Sequence, residues 1–224
     1  MDTKWAADHL QTIRTIMERS ALYRRALGPV MLTAGGLGLA ASIFPCFTPI
    51  ESGRAFAGFW LVVAVLALGA VFLLVRRQAL ADKEPFWSPP TRRVVQAMAP
   101  AFAVGLFAGL LWMMQAPGEP LQELQKLFKS GRLPWTMPVY LLPPIWMLCY
   151  GIGLHAAGFF MPRGIRLFGW ILIVGGCALL AGIGQGDRLR SAEAGHYIMG
   201  ICFGVAHLAY GFYLYFSEKR KNVA

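Results

Sequence analysis

Six apolar stretches, each long enough to cross a bilayer as a helix, take up more than half of this 224-residue chain. They run Ala26–Phe44, Ala55–Val75, Val94–Met114, Tyr140–Phe160, Ile165–Gly184 and Tyr197–Phe216. Covering about 30 Å of hydrocarbon takes about 20 helical residues. None of the six carries a Lys, Arg, Asp or Glu near its middle; Arg166 sits at the edge of the fifth. Barrel strands would be about 10 residues long and alternate in polarity. These segments are apolar all round, so they predict an all-α, polytopic membrane protein whose backbone groups are satisfied within each helix. With 57% hydrophobic and 14% charged residues, a soluble globular domain is excluded.

Three parts follow from this reading: a lead-in at 1–25, a six-helix transmembrane domain at 26–216 and a basic tail at 217–224. In the lead-in, Leu10, Ile13, Met17 and Ala21 recur at helical spacing while Asp8, Gln11, Arg14, Glu18 and Arg19 fall elsewhere around the turn. That pattern predicts an amphipathic helix lying in the membrane interface, anchored by Arg24 and Arg25. It is either a passive lead-in or a docking surface for a partner. A cleaved leader is not expected, because some 25 charged and amphipathic residues precede the first apolar stretch, too many for the basic start of a signal peptide.

Lys and Arg set the orientation. An even number of spans puts both termini on one side. That side carries Lys4, Arg14, Arg19, Arg24, Arg25, Arg76, Arg77, Lys83, Arg92, Arg93, Arg163, Arg166, Lys219, Arg220 and Lys221. The opposite side carries Arg54, Lys126, Lys129, Arg132, Arg188 and Arg190. The positive-inside rule places both termini in the cytoplasm. The net charge of +10 thus points to anionic headgroups, with a protein partner at the cytoplasmic face as a further reading. No basic run stands apart from a membrane boundary, so nucleic acid is not expected as a partner.

Between the second and third spans, Phe86 and Trp87 form an expected interfacial anchor beside Arg92 and Arg93. Between the third and fourth, Pro120 to Gly131 predicts a short amphipathic helix on the outer surface, or a lid over a cavity. Pro100 and the pair Pro143-Pro144 are expected to kink their helices.

His155 and His207 are the side chains most able to carry chemistry. Gly151, His155 and Gly158 share one helical face, and Gly200, Gly204, His207 and Gly211 share another. Small residues let helices approach closely in lipid, so both histidines are expected in tight seams, which could be a single seam. Each imidazole then needs a partner from another helix. Three readings stay open: structural hydrogen bonding, a proton or solute path lined by both rings, or haem or quinone chemistry with both as ligands. Haem faces an axial offset of roughly 7 Å between the two positions at about 1.5 Å per residue. A zinc site from Cys149, His155, Cys202 and His207 is rejected, because on a regular helix each cysteine falls well around from its histidine.

No catalytic motif stands in a plausible setting, so no residue is assigned as catalytic, no metal ligand set is assigned and no cofactor is expected. The segments Cys149–Phe160 and Cys202–Tyr213 read as weak copies, explained either by duplication or by shared Gly, Ala and Phe bias. Two stretches, Ile13–Ser20 and Phe203–Gly211, resemble a family of six-span bacterial inner-membrane proteins of no assigned function. The resemblance implies that the lead-in and the histidine span belong together, and nothing about substrate or cofactor. The function expected first is a non-enzymatic membrane module for signalling or scaffolding. A small-solute transporter or channel lined by His155 and His207 is second, and a redox protein third.

Overall fold

The computed structural model describes residues 27–83, 85–115, 138–183 and 191–221. The expected interfacial helix with Arg24 and Arg25, and the expected helix from Pro120 to Gly131, lie outside those residues. Among the described residues no strand forms, and six helices are long and apolar enough to cross a membrane. The chain has the build of a multi-pass membrane protein.

α1 is Leu27–Cys46, closing in a tight turn at Phe44–Cys46. α2 is Gly53–Ala81 and α3 is Pro89–Gln115. α4 is Leu142–Ala157, entered through a single 3₁₀ turn at Val139–Leu141. α5 is Arg163–Ile183. α6 has three parts: α-helical Ala192–Met199, π-helical Gly200–Val205 and α-helical Ala206–Lys221.

Helix ends depart from the apolar stretches wherever capping chemistry extends them. Ser52 accepts the Ala55 amide at 3.1 Å and starts α2 at Gly53, ahead of the expected Ala55. Ser191 does the same for Ala194 at 3.0 Å, starting α6 at Ala192 rather than Tyr197. α2 also continues past Val75 through Arg76 and Arg77 to Ala81. Its 29 residues reach about 43 Å at about 1.5 Å per residue, longer than the roughly 30 Å hydrocarbon layer. Lys83 ends it in the left-handed region at φ 52°. The expected kink at Pro143-Pro144 is overturned. Both prolines stand in the first turn of α4, where a missing N–H has no intrahelical partner to lose. Pro100 lies inside α3.

Neighbouring helices run antiparallel. The register of α1 on α6 can be followed along its length: Gly28 lies against Leu214, Leu32 against Gly211, Gly35 against Leu208, Gly38 against Phe203 and Ser42 against Gly200. Gly151 of α4 meets Gly169 and Ile173 of α5, while Gly158 meets Arg166 and Gly176 meets Leu148. In α3, Gly105 and Gly109 receive Trp146 of α4, whose Nε1 donates to the Gly105 carbonyl at 2.7 Å. This alternation gathers Arg76, Arg77, Lys83, Arg92, Arg93, Arg163 and Arg166 at one end. Arg54 stands at the other, with Trp112, Val139 and Ala192.

Two apolar clusters fill the interior. One joins α1, α4, α5 and α6 through Met31, Met147, Leu154, Ile165, Phe168 and Cys202. The other joins α2, α3, α4 and α6 through Phe56, Trp60, Trp112, Leu142, Trp146 and Met199. Both include α4 and α6. α2 is the least buried, turning Val62, Val65, Leu66 and Leu73 outward, as a lipid-facing helix does.

A Cβ on Gly204 would stand 2.9 Å from the Leu39 amide nitrogen, whereas Gly36 has nothing within 4 Å. Gly204→Val is expected to lower stability by about 1–3 kcal/mol through overpacking of a backbone contact. Gly36→Ala is expected to leave it unchanged or slightly raised. Thermal unfolding of the detergent-solubilised chain compares the two.

Candidate functional site

His207 is 2% exposed, the most enclosed polar side chain among the described residues. Its position follows from the π-helical part of α6. In an uninterrupted α-helix the Cys202 carbonyl would accept the amide of Ala206. Here that amide turns to the Ile201 carbonyl, five residues back. The Cys202 carbonyl instead lies 3.1 Å from His207 Nδ1. A carbonyl only accepts, so Nδ1 carries the proton. Nε2 is then the lone-pair nitrogen, and it accepts the Tyr150 hydroxyl of α4 at 3.0 Å. Tyr150 stacks on the imidazole at 5.4 Å, and Phe168 of α5 meets it edge-on at 5.0 Å.

It is the Cys202 backbone carbonyl, not the side chain, that the five-residue bonding brings to His207. The Cys202 thiol points elsewhere, donating to Met147 Sδ at 3.2 Å. Among the described residues no three His, Cys, Asp or Glu side chains stand close enough to hold a metal ion.

A second enclosed histidine, His196, had no place among the sequence candidates. It is 4% exposed and stands in the first α-helical part of α6. Trp60 Nε1 donates to His196 Nδ1 at 3.0 Å, and His196 Nε2 stands 3.3 Å from the Ile50 carbonyl. An indole N–H only donates, so here Nδ1 is the acceptor and Nε2 carries the proton. Phe56, Phe59 and Trp60 surround the ring. Two signals pointed to it: Ser191 as a helix start, and the spacing of eleven residues from His207, close to three full turns.

His155 and His207 are not brought together. His155 lies in the last turn of α4, edge-on to Phe159 at 5.6 Å and to Trp170 of α5 at 5.3 Å. Its Nδ1 is fully covered and has no hydrogen-bond partner. The Tyr210 hydroxyl, lodged against Gly164, is likewise covered and unpartnered. The two glycine faces lie in separate seams. Gly151 and Gly158 face α5, whereas Gly200, Gly204 and Gly211 face α1. His207 reaches away from that glycine contact, toward α4 and α5. As haem ligands, the pair would have to give up the Tyr150 bond and face each other across α5. Trp87 is exposed and packs beside Phe86, which meets Phe72 edge-on at 5.1 Å; Arg92 and Arg93 are exposed in the first turns of α3.

No family model, no curated protein and no solved structure matches the chain. The chemistry of the site therefore rests on its geometry. That geometry holds two neutral histidines in opposite tautomers, each clamped between one group that only accepts or donates and one aromatic partner.

Two outcomes follow. ¹⁵N-resolved imidazole spectra are expected to show His207 protonated at Nδ1 and His196 at Nε2; the same tautomer at both sites would contradict the assignments. Tyr150→Phe leaves the His207 Nε2 lone pair buried without a donor, which costs about 1–3 kcal/mol. The double variant Tyr150→Phe with His207→Leu is expected to lose less than the sum of the single variants, as measured by thermal unfolding.

Proposed function

We propose that this chain is a non-enzymatic membrane module, seated in a bacterial inner membrane with both termini in the cytoplasm. Its basic end faces anionic headgroups and a soluble partner, and its role is signalling or scaffolding. The observation that carries this reading is that both nitrogens of His207 and both nitrogens of His196 are bonded to the protein itself. A residue that lines a solute path keeps a polar atom for the solute. These imidazoles spend theirs on joining helices: α6 to α4 through Tyr150, and α6 to α2 through Trp60.

The close glycine contacts of α1 with α6 and of α4 with α5 support the same reading. They hold backbone against backbone where a path would need separation. The gathering of Arg76, Arg77, Arg92, Arg93, Arg163 and Arg166 at one end supports the orientation. The lead-in, with its amphipathic spacing, supplies the docking surface in this proposal.

Native cysteines give the test. Cys46 is exposed at the Arg54 end, and Cys202 is buried against Met147. In membranes from intact cells, a small charged thiol reagent is expected to modify Cys46 and leave Cys202 untouched. Rapid modification of Cys202 would mean that water reaches the seam and would replace this reading with a transport path. Reporter fusions at the two termini are expected to be active only in the cytoplasm. Deleting residues 1–20 is expected to release a co-purifying soluble partner without loss of membrane insertion; a partner retained by the truncated chain would sink the docking role.

A further inference from the structure

We propose that the outward face of the α4–α5 hairpin at its basic end seats one anionic phospholipid, with its phosphate on Arg166 and the top of its acyl chain on Trp170. The inference rests on the membrane reading above and adds a specific lipid site to it.

Two i,i+4 pairs face each other there. His155 in the last turn of α4 and Phe159 in the turn that follows it form one pair, and α5 contributes Arg166 and Trp170. Because the helices are antiparallel, the pairs meet as two rungs. The Arg166 guanidinium lies 5.3 Å above the Phe159 ring, and Trp170 lies 5.3 Å from His155. Phe159 is 65% exposed and Trp170 51% exposed, so the aromatic walls open outward. One turn deeper the floor closes, since Gly151 and Gly169 bring the two backbones into contact.

Each side chain has a feature that suits a phosphodiester. A guanidinium held over an aromatic ring can still turn N–H groups to phosphate oxygens, which its planar fork matches bidentately. Gly158 makes room for the Arg166 stem, which a Cβ at that position would strike. The His155 Nδ1 is covered and unpartnered. The Arg166 charge favours a headgroup of net negative charge over a zwitterionic one. Trp170 lies about 6 Å deeper than Arg166 at about 1.5 Å per residue, at the depth where tryptophans meet the upper acyl chains.

The experiment uses the full chain in nanodiscs containing lipids brominated near the top of the acyl chains. The Trp170 signal is the difference between wild type and Trp170→Phe. Brominated phosphatidylglycerol is expected to quench it about fivefold more effectively than brominated phosphatidylcholine at equal mole fraction, the preference one Arg near an anionic surface supplies. Arg166→Gln, and independently Gly158→Val, are expected to bring the ratio close to one. Arg76→Gln, at the same end of the molecule but away from the hairpin, is expected to leave it unchanged. A wild-type ratio near one overturns the proposal. So does a ratio that survives Arg166→Gln, or one that falls equally with Arg76→Gln, which would mean diffuse attraction to the basic face. Failure of the membrane reading itself looks different: neither brominated lipid would quench any tryptophan.

Discussion

Hydrocarbon offers no hydrogen bonds, so a polar group placed in it is stabilised by a partner within the chain. His207 is where this constraint is most demanding, because an imidazole brings both a donor and an acceptor. Tyr150, on the neighbouring α4, supplies the donor that the ring needs. The acceptor comes from α6 itself, through a backbone carbonyl that an ordinary helix would have used up. The widened turn at Gly200–Val205 leaves that carbonyl to the ring. In the first α-helical part of α6 the same problem has the opposite solution. The donor is the Trp60 indole, and the acceptor is the Ile50 carbonyl between α1 and α2. One helix thereby bonds to three different parts of the molecule through two side chains.

Close backbone contact makes those bonds reachable. α1 and α6 approach through glycines on both sides, and so do α4 and α5. α3 is held to α4 differently, by Trp146 lying across Gly105 and Gly109 with its indole N–H on a carbonyl. α4 and α6 are consequently the inner helices, present in both apolar clusters, and α2 is the outer one. The division follows from composition. α2 has the highest hydropathy of the six and no charged residue between Arg54 and Arg76, so beyond Trp60 its middle can face lipid.

The six spans were legible because length and unbroken apolar character dominate the energetics of insertion, and both are read directly from residues. The ends were less so. Ser52 and Ser191 extend helices beyond the apolar stretches, and hydropathy does not weigh a capping hydroxyl. That omission is why His196 fell outside the sixth span and out of consideration. The glycines flanking His155 and His207 marked helix contacts, but not which helix each would touch. Partner choice depends on the tertiary arrangement, and Gly35, Gly38 and Gly169 answer it from segments far away in sequence. The π-helical turn left no signal, since its cause is the arrangement of bonds around one carbonyl.

That turn makes chain length a constraint in its own right. Deleting any one residue from Gly200–Val205 would restore ordinary bonding and rotate the rest of α6 by about 100° relative to its first half. His207 would swing off Tyr150, and Gly211 would leave Leu32. At Ile201 and Val205, exposed at 61% and 48%, the identity of the side chain is nearly free. The number of residues there is not, so an insertion or deletion in this segment would disrupt far more than any exchange of one apolar residue for another.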